Sequence, residues 1–239
     1  MFQFKQFVIH QGQAAFKVGT DGILLGASAN HPACQTILDI GTGTGLLALM
    51  LAQKYSVATV DAVEIDSAAA QQARENVKNS PFSNQINVFE GDIVHFAEKS
   101  NPKYNLIVCN PPFFNKRDGT LSPAFPKSQA RHTVSLSFTQ LLQAVGLLLA
   151  ENGRFFSIIP CQQFEPFNKV LIVKPLFVTQ KTLIQPKPSK PAHRLLLQIE
   201  KNEKQMTRLS MCIETNRRHV YSRAYYDLTQ EYYLNLAHA

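Results

Sequence analysis

A chain of 239 residues with 45% hydrophobic and 17% charged side chains has enough apolar content to build a sizeable core, which excludes an intrinsically disordered protein. No apolar run approaches the roughly 20 residues that span a bilayer, and the start Met1-Phe2-Gln3-Phe4-Lys5 lacks a secretory layout. Cys34, Cys109, Cys161 and Cys212 are far apart and the seven histidines are scattered without ligand spacing, so reduced cysteines, no metal site and a cytoplasmic location are expected.

The formal net charge of +7 is shared unevenly: residues 1–98 carry a net −4 and residues 99–239 a net +11. An acidic half suits a cationic or hydroxyl-rich small ligand, and a basic half suits a polyanion such as nucleic acid. Residues 2–9 alternate aromatic and polar side chains, which predicts a short strand, and Gly12 is placed to turn it into a second, giving a small N-terminal hairpin. The loop Lys17-Val18-Gly19-Thr20-Asp21-Gly22 then leads into a helix predicted from Ile23 to Ala29. Thr20 and Asp21 suit capping of that helix, and Asp21 also suits a ligand's ammonium group.

An apolar strand, Thr36-Ile37-Leu38-Asp39-Ile40, runs into Gly41-Thr42-Gly43-Thr44-Gly45 and a helix from Leu46 to about Tyr55. Alternating glycines let the backbone turn tightly and come close to a ligand, while the first N–H groups of the helix attract partial negative charge. The spacing Gly-x-Gly-x-Gly differs from the Gly-x-Gly-x-x-Gly of a dinucleotide site, which argues against a bound pyrophosphate. The next strand, Thr59 to Asp66, ends in acid. Glu64 is placed to accept both hydroxyls of a ribose, and Asp66 to cap a helix from Ser67 to Asn79. A third strand, Ile86 to Glu90, ends in Gly91-Asp92-Ile93, where Asp92 suits an adenine amine and Ile93 its ring.

The apolar run Leu106-Ile107-Val108-Cys109 stops abruptly at Asn110-Pro111-Pro112-Phe113, because proline lacks a backbone donor and fixes φ. The side-chain oxygen of Asn110 and the carbonyl of Pro111 offer two acceptors to one planar amino group, whose lone pair is otherwise delocalised, and Phe113 offers a stacking face. A turn that merely closes the strand is the simpler reading of the same residues.

From Phe114 to Ser135 there is little periodicity, and Lys116, Arg117, Lys127, Arg131 and His132 are candidate phosphate contacts. A helix from Ser137 to Ala150, a strand from Arg154 to Pro160, a helix over 163–173 and strands Leu176 to Ile184 and Leu195 to Ile199 follow. The last two strands are joined by the stiff basic loop Pro186-Lys187-Pro188-Ser189-Lys190-Pro191. This reads as a reversed hairpin that puts Lys187, Lys190 and Arg194 on the same edge as Phe113, where they would position phosphates. The tail sets Arg217, Arg218 and Arg223 among Tyr221, Tyr225 and Tyr226, which fits either RNA contact or a docked amphipathic helix.

Together Leu38-Asp39-Ile40-Gly41-Thr42-Gly43-Thr44-Gly45, Glu64, Gly91-Asp92 and Asn110-Pro111-Pro112-Phe113 resemble the class I S-adenosylmethionine-dependent methyltransferases of the amino-methylating branch. The resemblance implies an α/β fold: a Rossmann-like, seven-stranded sheet, mostly parallel with one antiparallel strand, plus the N-terminal hairpin. It further implies one domain over 1–239, with 1–30 as an extension. Gly41, Gly43 and Gly45 would line the methionine end of the cofactor, Glu64 would hold its ribose and Asp92 its adenine. Lys17, Thr20, Asp21, Asp39, Ile65 and Ile93 complete the implied cofactor set, and Asn110, Pro111, Pro112 and Phe113 the catalytic one.

The flanks Lys17-Val18-Gly19-Thr20-Asp21-Gly22-Ile23-Leu24-Leu25-Gly26 and Ala130-Arg131-His132 resemble the bacterial tRNA1(Val) adenine methyltransferases, which modify the 6-amino group of the adenosine just 3′ of the anticodon. That implies tRNA as partner; a monomer is expected, and the basic loops place the RNA contacts at Lys116, Arg117, Arg131, His132, Lys187, Lys190 and Arg194. The aromatic after Pro-Pro is commonly Tyr in that family and is Phe113 here, which preserves stacking and removes any role for a phenol hydroxyl. A glutamine methyltransferase acting on protein meets the same motif. It normally carries a helical domain ahead of this core, whereas only 37 residues precede Leu38 here. Ribosomal guanine or DNA adenine methylation, and a cofactor-binding module without catalysis, are the other readings.

Overall fold

The computed structural model describes residues 1–12, 17–99, 103–111 and 136–238, and the backbone of 114–115 and 120–121. In chain order the elements are β1 (Phe2–Gln3), β2 (Val8–Ile9), α1 (Thr20–Ser28), β3 (Thr36–Ile40), α2 (Leu46–Lys54), β4 (Thr59–Glu64), α3 (Ser67–Lys78), β5 (Ile86–Glu90), α4 (Ile93–Lys99) and β6 (Tyr104–Cys109). There follow β7 (Phe114–Asn115), β8 (Thr120–Leu121), α5 (Phe138–Leu148), β9 (Leu149–Pro160), α6 (Phe164–Ile172), β10 (Phe177–Gln185), β11 (Arg194–Glu200), β12 (Thr207–Cys212) and α7 (Arg223–Thr229).

Because successive strand residues face opposite sides, the central strands, apolar on both faces, demand helices above and below. Ile37, Leu106, Val108, Phe156 and Ile158 pack with α1, α2 and α7, while Leu38, Ile40, Ile107, Phe155 and Ile159 pack with α4, α5 and α6. The main sheet has the order β12-β10-β11-β9-β6-β3-β4-β5. Only β11 runs against its neighbours, pairing antiparallel with both β9 and β10. Seven of these strands are the set expected from sequence. The eighth, β12, adds parallel to β10, and its Thr207-Arg208-Leu209-Ser210 stretch is exposed, so no buried apolar run announced it.

The N-terminal hairpin forms, but its turn is at Phe4–Phe7 and not at Gly12: Phe2 pairs with Ile9 and Gln3 with Val8. Burial decides the turn position, since Phe4 and Phe7 stack with ring centroids 4.7 Å apart inside the core. Lys5 N–H also donates to the Tyr232 carbonyl at 2.8 Å, tying the hairpin to the tail. That tail forms the docked helix α7, with Tyr225 fully buried and its hydroxyl 3.0 Å from that of Tyr233, so Tyr225 serves packing and not RNA. β9 begins at Leu149, directly after α5 and five residues earlier than expected; a register shift against β6 absorbs the extra residues.

α1 packs on α2 through glycine. A Cβ on Gly22 would lie 3.0 Å from Leu46 Cδ2, and one on Gly26 would lie 2.8 Å from Met50 Sδ and 3.2 Å from Met50 Cβ. Four-residue spacing on both helices makes this one continuous contact. Lys54 closes the end of α1 by donating to the carbonyls of Ala27 and Ala29, each at 2.8 Å. A Gly26→Leu variant is therefore expected to lose about 1–3 kcal/mol through overpacking, read as a lower midpoint in urea denaturation; an unchanged midpoint would contradict the close helix contact.

Candidate functional site

The register of the parallel strands brings four chain ends to one level. Ile40 pairs with Val63 and with Cys109, and Glu64 pairs with Glu90. Gly41, Glu64, Gly91 and Asn110 therefore stand in a row at the carboxyl edge of β3, β4, β5 and β6, the edge where ligands bind in open α/β sheets. With neighbouring strands about 4.8 Å apart, the row from β6 to β5 is about 14 Å long.

The glycine loop is fixed from both sides. Gly41 and Thr42 donate their N–H groups to the Val63 carbonyl at 2.9 and 3.2 Å, and Gly45 donates to Thr42 at 2.9 Å. Gly41 and Gly43 hold φ of 69° and 57°, in the left-handed region. A Cβ on either would meet no atom of the described residues within 4 Å, so the loop leaves open space that glycine keeps clear for something else. Gly45, at φ 83°, starts α2 as its N-terminal residue without a side-chain cap.

Asp39 is fully buried beneath this loop. Its Oδ2 accepts from the Thr42 hydroxyl at 2.5 Å and from the Ala48 N–H at 3.2 Å, while Oδ1 has no partner. Burial pushes the Asp39 carboxyl up to about 7, against the lowering effect of those two donors. Glu64, 8% exposed, accepts the Gly43 N–H on Oε2 at 2.8 Å and the Asp66 N–H on Oε1 at 3.0 Å. Burial raises its pKa from the ordinary carboxylate value even so, against backbone donors that include the Ile65 N–H. A carboxylate offers about four accepting directions, so Glu64 retains capacity beyond these donors.

Asp66 caps α3 as expected, accepting the Ala69 N–H at 2.8 Å. Asp92 likewise accepts the Val94 N–H at 2.7 Å at the start of α4, through Oδ1 only. Ile65, next to Glu64, is 42% exposed, a large apolar side chain left uncovered at the site, whereas Ile93 is buried. Asn110 closes the row. Its Oδ1 is buried and has no hydrogen-bond partner among the described residues, and Pro111 beside it is buried as well. A buried orphaned carbonyl oxygen costs stability unless a donor arrives from outside the chain.

Lys17 and Thr20 are exposed, and Gly19, not Thr20 or Asp21, is the N-terminal cap of α1. Asp21 Oδ2 accepts from Arg194 Nε at 2.8 Å, so two residues expected in separate roles, cofactor and RNA, form one partly buried ion pair. Lys187 and Lys190 line an open cleft of about 570 Å³ at the same sheet edge. Pro112, Phe113, Lys116, Arg117, Arg131 and His132 lie outside the described residues.

One supporting residue was not foreseen. Asn76 of α3, 1% exposed, donates to the carbonyls of Thr44 and His10, both at 2.8 Å, and accepts the His10 N–H at 2.9 Å. It thus joins the glycine loop to the N-terminal segment. The available signal was an asparagine among alanines on the buried face of a helix, a position it disfavours. Among the described residues no cluster of His, Cys, Asp and Glu is placed to hold a metal ion, and no helix is long and apolar enough to cross a membrane.

The row fits S-adenosylmethionine: open space over Gly41 and Gly43, unfilled acceptor capacity on Asp39 and Glu64, and an uncovered apolar side chain at Ile65. Comparison with known proteins places the chain independently. Residues 13–134 match the family model "Methyltransferase small domain". A Pectobacterium carotovorum protein named tRNA1(Val) (adenine(37)-N6)-methyltransferase is 42% identical over 98% of this chain and 93% of its own length. A protein of the same name from Flavobacterium psychrophilum is 41% identical over 99% and 100%. The crystal structure of a protein described as a predicted O-methyltransferase from Agrobacterium tumefaciens superposes with a TM-score of 0.70 at 22% identity, over 89% of this chain and 96% of that one, a likeness of fold. The chain belongs to the methyltransferase small domain family, in the group that carries the tRNA1(Val) (adenine(37)-N6)-methyltransferases.

Proposed function

We propose that this protein methylates the 6-amino group of an adenosine in tRNA, adenine 37 of tRNA1(Val) by the name its relatives carry, with S-adenosylmethionine as donor. The observation that carries this is the buried, unpartnered Oδ1 of Asn110, one step along the sheet edge from the glycine cradle. An exocyclic NH2 supplies the missing donor. The full-length likeness to relatives named for that reaction selects adenosine over other amines.

Bound S-adenosylmethionine supplies an electrophilic methyl group. Gly41, Gly43 and Gly45 would make room for its methionine end, Asp21, Asp39, Lys17 and Thr20 would border that end, Glu64 would accept from the ribose, and Asp92 and Ile93 would take the adenine with Ile65. Asn110 Oδ1 and the Pro111 carbonyl would accept hydrogen bonds from the two amine N–H groups, leaving the nitrogen lone pair directed at the donor's methyl group. An amide acceptor does this without being ionised, so its action is independent of pH. Pro112 and Phe113 hold and stack the base. Holding the nitrogen at near-attack distance can be worth roughly 7–11 kcal/mol. In this reading residues 1–239 act as one methyltransferase domain with 1–30 as an extension, as a monomer in the cytoplasm, and Lys116, Arg117, Arg131, His132, Lys187, Lys190 and Arg194 face the RNA.

Asn110→Ala is expected to lower methyl transfer to tRNA by about 10²-fold, the loss typical of one well-placed hydrogen-bonding group at a reacting centre. Its cofactor affinity is expected to stay at the wild-type value by calorimetry, and wild-type turnover in the variant would refute the role. Asp39 gives a second outcome. Its folded carboxyl titrates near 7 and its unfolded one near the ordinary 3.8, so the native state holds the extra proton between these values. Stability from this group is therefore complete below pH about 4 and declines as pH rises to about 7. Asp39→Asn should flatten the fall in melting temperature across that window, and parallel curves for the two proteins would contradict the buried acid.

A further inference from the structure

The cleft beside Lys187 and Lys190 is more than a charged surface. It lies between the β10–β11 loop and the segment that follows β12, and its walls include Pro186 and Pro191 on one side and Asn216 and Arg218 on the other. Both walls are fixed by backbone hydrogen bonds. Ile213 N–H donates to Gln185 at 2.8 Å and Glu214 N–H to Pro186 at 2.9 Å, which carries the β10–β12 pairing past the strand ends. Within the loop, Lys190 N–H donates to Lys187 at 3.0 Å and Gln185 Nε2 to the Lys190 carbonyl at 3.3 Å.

Among the described residues some basic side chains are paired with carboxylates, and those of the cleft are not. Arg74, Arg194, Lys204 and Arg223 each have a carboxylate partner, whereas Lys187, Lys190 and Arg218 have no ion-pair or hydrogen-bond partner for their side chains among the described residues. The Asn216 amide is likewise unengaged. The one acid in the cleft, Glu214, is held by the His219 N–H at 3.4 Å and lies 3.9 Å from His219 Nδ1. Two ammonium groups and a guanidinium fork suit a phosphodiester, the apolar faces of proline rings suit the face of a base, and a free amide offers both a donor and an acceptor to a base edge. The volume of about 570 Å³ falls within the range of small-ligand pockets.

We propose that this cleft holds one nucleotide of the substrate RNA, with its phosphodiester on Lys187, Lys190 and Arg218 and its base between Pro186, Pro191 and Asn216. The proposal deepens the tRNA reading and rests on it. β10 is parallel to β6, three strands away across β11 and β9, so the cleft opens on the same edge as Asn110. The lateral distance is about 14 Å, close to the length of four stacked nucleotides. The occupant is thus a neighbour in the chain, a few positions from the methylated adenosine.

The test is equilibrium binding of tRNA by filter retention across a salt series, with wild type, Lys190→Ala/Arg218→Ala and Asn216→Ala. Cofactor affinity and melting temperature serve as the folding control. The double variant is expected to bind at least tenfold more weakly and to lower the salt slope by about 2, one unit for each lost phosphate contact. Asn216→Ala is expected to weaken binding about threefold with the slope unchanged. An unaltered affinity and slope in the folded double variant would overturn the phosphate site, and an unaltered affinity in Asn216→Ala would overturn base capture. Wild-type protein that binds tRNA and transfers no methyl group to it would overturn the tRNA methylation reading, and the variants' binding would still decide the cleft. Failure of the wild type to bind tRNA would end both.

Discussion

The register of four parallel strands is the constraint on which the rest of this structure depends. A chain can re-enter a parallel sheet only through a crossover, so each turn at the carboxyl edge of β3, β4 and β5 passes into a helix. That places backbone donors, capping acids and glycine turns at one edge, and the pairings Ile40–Val63, Ile40–Cys109 and Glu64–Glu90 hold them in line. Shifting any of these strands by one residue would turn its apolar side chains to the wrong layer. Burial in the two cores therefore also fixes where Gly41, Glu64, Gly91 and Asn110 stand.

The site uses polar atoms that the fold buries without full compensation. Asp39 Oδ1 and Asn110 Oδ1 lack partners among the described residues, and burial raises the pKa of Glu64 despite its backbone donors. Such groups weaken the isolated chain and are retained where a ligand completes them. The uneven charge of the sequence becomes a lateral division of the sheet edge. The strands β3, β4 and β5, from the acidic part, carry Asp39, Glu64 and the turn at Asp92, while β9, β10, β11 and β12, from the basic part, carry the cleft of Lys187, Lys190 and Arg218. A small cationic cofactor and a polyanionic substrate are thus drawn to adjacent halves of one edge. The Asp21–Arg194 pair links the two halves directly.

What could be read from the sequence was what local patterns dictate. Apolar runs ending in Gly, Asp or Asn-Pro-Pro announced β3 to β6 and their turns, and Asp66 behaves as the cap its position suggested. The hairpin turn was misplaced because the choice between Gly12 and Phe4–Phe7 was made by aromatic burial, a tertiary effect. β12 was missed because an exposed edge strand has no periodic apolar signature, and with it the cleft, whose walls come from segments separated in sequence. Asp21 and Arg194 were read apart because nothing local pairs residues on α1 and β11. The two acceptors of the expected amine trap differ in the same way: Asn110 was legible as a strand-end amide, but its unpartnered oxygen is a property of the packed chain.

The most direct measurement is transfer of labelled methyl groups from S-adenosylmethionine to bulk tRNA, ribosomal RNA, duplex DNA and a protein extract, followed by nucleoside and amino-acid analysis. The account predicts label in tRNA, recovered as 6-methyladenosine from the position 3′ of the anticodon. Label confined to glutamine in protein, or to guanine in ribosomal RNA, would contradict it.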